Sequence, residues 1–268
     1  MTQPPFPLLP GKHALPAVTD PAEHAAYVRT RHPGATLADT AGTVLIYQRA
    51  LLEHARTQPH TRSTTGWVRG DLLIHEPPGH HPVAICGGFG VGGPAAALAV
   101  EQLTALGTPR IITVGTAASL HGSLLPGELI VCDRALRGDG TSHHYLPPAP
   151  YAHPCPHLTR HFAQTLHTAN TRFRHAATWT TDAPYRETAQ EVDCYAGHGV
   201  MLCDMEAAAV FATSRYRNIP AAAAFTTADS LANRQPRRHD PAVAAALIQL
   251  YGAALTTLRD TLGTRLAR

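Results

Sequence analysis

The chain has 268 residues, with 22 lysines plus arginines against 19 acidic residues, 18 histidines and a formal net charge of +3. With 44% hydrophobic and 15% charged residues, it can bury a core and is no disordered tail. All its fixed positive charges but Lys12 are arginine, and they are scattered, which argues against a dedicated nucleic-acid binder.

The segment Met1–Pro10 is proline-rich, with neither a basic nor an apolar region of the signal-peptide kind. Residues 1–40 read as an atypical N-terminal segment with one helix near Pro21–Arg31, where Asp20 can cap and Pro21 can take the first helical position. Thr43–Tyr47 reads as a strand and Arg49–Arg56 as a helix. Trp67–His75 reads as a strand, 77–82 as a turn, and Pro82–Cys86 as a buried strand. After the glycine-rich run 87–94 come a helix at Ala95–Leu106 and a strand at Arg110–Val114. A turn is expected at Gly115–Ser119, then a strand at Gly127–Cys132 after a Pro-Gly signal. Pro147, Pro148, Pro150, Pro154 and Pro156 make 146–156 a loop. Beyond it, helices are expected at Leu158–Asn170, Ala189–His198, Glu206–Arg215 and Pro241–Leu262. Strands are expected at Ala176–Thr180, Val200–Cys203 and Ala221–Thr227. This alternation predicts a single α/β domain over 1–268: three layers, with a central mixed, mostly parallel sheet flanked by helices.

The longest apolar stretch, around Ala221–Phe225, falls far short of the roughly 20 residues that span a bilayer. No membrane partner is expected. Cys86, Cys132, Cys155, Cys194 and Cys203 make no CxxC and no zinc spacing. An odd count without a signal segment points to a reduced, cytoplasmic protein. No metal-ligand motif of the HExxH kind occurs, so no metal and no organic cofactor are expected.

In an open α/β sheet, ligands sit beyond the carboxyl ends of the strands. Five segments at such ends are polar, glycine-rich or acidic. Gly87–Pro94 could bring backbone N–H groups and a helix N-terminus to an anion, or could be only a tight turn. The others are Thr113–Ala118, Arg137–Tyr145, Asp204-Met205-Glu206 and Thr226–Ser230. A carboxylate at the start of an alanine-rich helix could be only a dipole partner, and an Asp-Ser after a strand only a cap.

Taken in order, Gly-Val-Gly-Gly-Pro at 90–94, Val-Gly-Thr at 114–116, Leu-Pro-Gly-Glu-Leu-Ile-Val at 125–131 and Met-Glu-Ala-Ala-Ala at 205–209 resemble the nucleoside phosphorylase superfamily. That group holds the purine nucleoside and uridine phosphorylases and related nucleosidases. The resemblance runs from about Val83 to Leu231. It implies cleavage of a nucleoside N-glycosidic bond, with inorganic phosphate as co-substrate and free base and ribose 1-phosphate as products. Catalysis would then be mostly positioning and electrostatics.

The resemblance assigns Glu206 to the ribose 2′- and 3′-hydroxyls, a task suited to an acceptor-only carboxylate. It assigns Met205 to packing against ribose and base. Asp204, which stands where the family often has glutamate, is a further expected substrate contact, though its side chain is shorter. Asp229 matches the aspartate that serves N7 of a purine leaving group. Asp139–His143 looks instead like the uridine-phosphorylase loop, so purine is favoured only slightly. Further expected substrate contacts are Thr113, Thr116, Phe89, His143 and Tyr185. Expected phosphate contacts are Thr116 and the backbone of Gly88 and Gly90.

The departures concern phosphate. Thr113 stands where the family's phosphorylases carry an arginine. Pro10-Gly11-Lys12 echoes their N-terminal anion loop, but Leu15 stands in place of its arginine. Arg49, Arg137 or Arg186 could supply the charge, and Arg186 could instead contact the base. Loss of those arginines is typical of nucleosidases, in which water replaces phosphate. A fold that kept nucleoside binding and lost the chemistry is a further alternative, against which Glu206 and Asp229 speak. The resemblance also implies a homo-oligomer, a dimer or a trimer of dimers.

Overall fold

In the computed structural model, which describes residues 8–65, 67, 69–234 and 240–260, the N-terminal segment forms a short 3-10 turn at Lys12–Ala14 and then helix α1 (Pro21–Arg31). As expected, Asp20 caps α1 by accepting from the Ala22 N–H, with proline in its first turn. Strand β1 (Thr43–Ile46), helix α2 (Arg49–Thr57) and strands β2 (Thr61–Ser63), β3 (Asp71–His75) and β4 (Val83–Gly87) follow. The strand expected from Trp67 thus starts at Asp71, and its Val68 lies outside the described residues. Next come α3 (Gly93–Ala105), β5 (Ile111–Ser119), β6 (Leu129–Gly138), the short α4 (Ser142–Tyr145) and β7 (Tyr151–Ala152). The chain continues through α5 (Pro156–Thr168), β8 (Arg174–Thr181), α6 (Ala189–Gly197), β9 (Val200–Asp204), α7 (Ala207–Tyr216), β10 (Ala221–Ser230) and α8 (Pro241–Asp260).

Four expectations are corrected by long-range pairing. Gly115–Ser119 is no turn but the outer half of β5. Phe225, Thr226 and Thr227 of β10 flank Gly115–Ala117 on one edge, and Cys203 and Leu202 of β9 pair with Ala118 and Ser119 on the other. Arg137 and Gly138 end β6 and Ser142–Tyr145 is helical, so 137–145 is only partly a loop. The proline-rich 146–156 contains β7, which pairs with β6. Asp229 and Ser230 continue β10 past a bulge at Ala228, and Ser230 Oγ accepts from Asn233 N–H in the turn that follows.

All ten strands join one sheet. β4, β1, β5 and β10 run parallel, as do β6, β8 and β9. β10 meets β6 and β9 meets β5 antiparallel, so five strands close on themselves, with β2–β3–β4 extending one side. Bulges at Asp133 of β6, Met201 of β9 and Ala228 of β10 fall within this closed part, where they increase local twist. Apolar residues of α1, α3 and α7 cover one face, and those of α2, α5 and α8 the other. The mixed, three-layer α/β arrangement is therefore present.

By length and composition alone, α8 is apolar enough to cross a bilayer, which corrects the estimate of the longest apolar stretch. Its Ala246, Leu247, Leu250, Ala254 and Leu258 are buried at helical spacing in the core cluster on the α2 and α5 side. That packing explains its composition.

Candidate active site

The parallel strands β1, β4, β5 and β10 end on one edge, and β9 hands its last residue to the same region. The glycine-rich run, the Tyr47–Arg49 junction, Thr116 and Asp204–Glu206 therefore come from distant parts of the sequence to one place.

Glu206 is the residue before α7 rather than its first turn. The first N–H groups of α7 are satisfied from elsewhere. Asp204 Oδ2 accepts from the Glu206 and Ala207 N–H groups at 2.7 and 2.6 Å, and Thr180 Oγ1 accepts from Ala208 N–H at 3.0 Å. Asp204 Oδ1 meanwhile accepts from the hydroxyls of Thr178 and Thr180. Asp204 is thus a buried cap with both carboxylate oxygens engaged within the chain. Burial raises its carboxyl above the usual range, against the pull of these hydrogen bonds.

With its helix capped by others, the Glu206 carboxylate is free to turn toward the glycine-rich loop. It accepts from Gly92 N–H at 2.6 Å. Gly92 has φ 93°, which a side chain would strain, and a Cβ there would stand 4.0 Å from Met205 Cε. Glu206 is only 6% exposed. Burial first, then the Asp204 charge, pushes its carboxyl up to about 7. Behind the loop, a Cβ on Gly93 would meet Thr141 Oγ1 at 3.2 Å and Asp139 Oδ2 at 3.4 Å. The 139–143 segment therefore backs the glycine turn.

Beside the loop lies an arrangement that sequence reasoning missed. Thr113 Oγ1 donates to Tyr47 Oη at 2.8 Å. Gln48 Nε2 donates to Thr116 Oγ1 at 3.1 Å. The Tyr47 ring meets Phe89 of the loop edge-on at 5.5 Å. Burial and the Glu206 charge raise the Tyr47 phenol, keeping it protonated. A neutral tyrosine–threonine pair thus fills the position beside Thr113. The signal available was position alone: Tyr47 and Gln48 directly follow an apolar strand.

Asp229 lies at the far end of β10, half-buried, and accepts from Arg234 Nη1 at 3.0 Å. Glu187 accepts from the Cys203 thiol at 3.3 Å. Its carboxyl is raised by burial, and the nearby Asp229 charge adds to that. Neither Arg234 nor Glu187 stood out in the sequence. Tyr185, 99% exposed, and Arg186 sit on an exposed 3-10 turn, Pro184–Arg186, and are not gathered into the site within this chain.

Arg137 spends its guanidinium within the chain. Its Nε donates to Ser142 Oγ, Nη1 to the carbonyls of Pro147 and Ala149, and Nη2 to those of Ser142 and Leu146. All five guanidinium N–H groups are spent on the loop that Arg137 anchors. His143 Nε2 lies 3.3 Å from the Arg137 carbonyl. Arg49 begins α2 with its side chain exposed, next to the Gln48 junction. The Pro10-Gly11-Lys12 turn is not at a strand end. It precedes α1 and lies near α4, where burial and then the Lys12 charge lower His144. Among the described residues, no group of three or more His, Cys, Asp or Glu could hold a metal ion.

Comparison with known proteins gives a consistent set of likenesses. A sequence profile described as the phosphorylase superfamily matches residues 48–258. The chain is 29% identical to a uridine phosphorylase of Haemophilus influenzae over 46% of its own length and 47% of that protein's. It is 28% identical to a guanosine phosphorylase of Halorubrum lacusprofundi over 53% of its length and 59% of that protein's. The matches thus span about half the length of these relatives. The fold superposes on a purine nucleoside phosphorylase of Toxoplasma gondii, in complex with immucillin-H, with a TM-score of 0.75 at 17% identity, covering 83% of this chain and 92% of that one. Uridine phosphorylase of Vibrio fischeri gives a TM-score of 0.72 at 21% identity, covering 82% and 92%.

Proposed function

Because this chain belongs to the phosphorylase superfamily, we propose that it is a nucleoside phosphorylase, which cleaves the N-glycosidic bond with inorganic phosphate to give free base and ribose 1-phosphate. The observation that carries this reading is the Gly92–Glu206 contact. It ties the glycine-rich turn to a buried carboxylate that can accept two ribose hydroxyls.

In this reading, Glu206 orients the sugar and Met205 packs against it. The backbone of Gly88 and Gly90, the Thr116 hydroxyl and Arg49 take the phosphate. As the bond to the base lengthens, positive charge grows on the sugar and negative charge on the base. The attacking phosphate then lies against the sugar cation, and a donor on the base eases its departure. Asp229 is the residue for that task on a purine N7, and it favours purine slightly over uridine. The co-substrate is phosphate, with no metal and no organic cofactor. The reading also takes the protein to be cytoplasmic and a homo-oligomer, a dimer or a trimer of dimers.

The Tyr47–Thr113 pair, where an arginine was expected, favours a second reading: hydrolysis of the same bond by water. Incubation with inosine, adenosine and uridine, with and without phosphate, separates the two. Base release that needs phosphate is expected. Release equally fast in phosphate-free buffer would instead establish the nucleosidase.

A further inference from the structure

Two consecutive residues leaving β1 each reach a threonine of β5, and the second leaves one atom unaccounted for. Gln48 Nε2 is engaged by Thr116, but Gln48 Oε1 is buried and has no hydrogen-bond partner among the described residues. A buried amide oxygen without a donor is costly, so its donor must come from a bound molecule or be forgone.

The surroundings say what kind of molecule. Gln48 precedes α2, whose N-terminus carries no side-chain cap, so the positive end of that helix faces the same junction. The glycine-rich run borders it, since a Cβ on Gly87 would strike the Ile46 side chain and carbonyl and Leu52. Thr116 presents a hydroxyl and Arg49 begins the helix. Around the place assigned to phosphate, then, donors and positive charge predominate, and Gln48 Oε1 is an acceptor among them.

An acceptor beside an anion repels an oxygen that carries no proton and accepts from one that does. Hydrogen phosphate carries such an O–H near neutral pH. Sulfate, of similar shape and charge, does not. We propose that Gln48 Oε1 accepts the O–H of hydrogen phosphate and so selects phosphate over sulfate at this site. The contact makes and breaks no covalent bond. This inference rests on the phosphorolytic reading above.

The test uses the full chain in steady-state base-release assays, with phosphate varied and sulfate as competitor. Wild type is compared with Gln48→Met, which has similar length and no amide oxygen, and with Gln48→Glu, which keeps an acceptor. Wild type should be inhibited by sulfate only at concentrations at least about tenfold above the phosphate KM, the scale of one hydrogen bond. In Gln48→Met the phosphate KM should rise about tenfold, the nucleoside KM should stay within about twofold, and sulfate should compete nearly as well as phosphate binds. Gln48→Glu should keep rejecting sulfate. The inference is overturned if sulfate rivals phosphate in wild type, a result needing no variant. It is also overturned if Gln48→Met leaves the sulfate-to-phosphate ratio unchanged, or if both KM values rise together. Base release that ignores phosphate altogether would overturn the phosphorolytic reading itself, and this inference with it.

Discussion

Glu206 shows how one residue's surroundings couple function to stability. In the ribose-binding role proposed for it, its carboxyl, pushed up to about 7, must be ionised to accept both hydroxyls. Nucleoside binding should therefore strengthen as pH rises through about 7. Stability runs the other way. Between the ordinary value of 4.5 and about 7, the folded chain holds a proton that the unfolded chain releases. This group's stabilising contribution is thus full below the unfolded value and is lost as pH rises through the folded one, on the order of 3 kcal/mol in all. Glu206→Gln, neutral at every pH, should melt above wild type at about pH 8 and near it at about pH 4.5, as scanning calorimetry would read. The same variant should lose roughly 10²–10⁴-fold in kcat/KM, from two charge-assisted hydrogen bonds at about 1.5–3 kcal/mol each. Wild-type rates in Glu206→Gln would remove Glu206 from the site. For Asp229→Asn, purine cleavage should slow by roughly 10²-fold or more while any pyrimidine cleavage changes little. Equal slowing of both bases would show that Asp229 does not serve N7.

At the scale of elements, what the sequence disclosed and what it hid divide by the range of the interactions. The cap of α1, the glycine-rich turn before α3 and the apolar strands β1, β4 and β10 were legible, because their causes are local. Residues Gly115–Ser119 were not. Their small side chains read locally as a turn, and the strands that hold them extended, β9 and β10, lie 80 or more residues further on. Tyr47 and Gln48 escaped for the same reason, since their threonine partners are 66 and 68 residues away. Glu206 stood out in the sequence as a candidate site residue, but the Asp204 and Thr180 caps that free its carboxylate left no local signal. The anchoring of Arg137 was hidden as well, because the acceptors that engage its guanidinium are four backbone carbonyls and a serine hydroxyl, which leave no pattern in a sequence. Arg137→Met should destabilise the fold by about 3 kcal/mol or more, through lost charged hydrogen bonds and orphaned carbonyls, as urea denaturation would measure. In kinetics, its KM values for phosphate and nucleoside should shift together. A selective rise in the phosphate KM would restore Arg137 as a ligand.

At the scale of the whole molecule, closing five strands into a ring while leaving β4–β1 alongside brings the Tyr47–Arg49 junction, the glycine-rich run, the outer half of β5 and Asp204–Glu206 to one edge of the sheet. The positive charge of the chain is almost wholly arginine, well suited to bidentate anion binding. Yet beside the glycine-rich loop the structure sets the neutral groups Tyr47, Gln48, Thr113 and Thr116, with Arg49 next to them. In the proposed phosphorolysis, hydroxyls, an amide and a helix N-terminus would hold the phosphate in place of an arginine clamp. The measurement that tests this account most directly is the fate of the sugar. Purified protein is incubated with inosine and inorganic phosphate, and the products are followed by phosphorus NMR. Phosphorolysis predicts ribose 1-phosphate appearing in step with free base. Free ribose appearing with the base, while the phosphate signal stays constant, would contradict it.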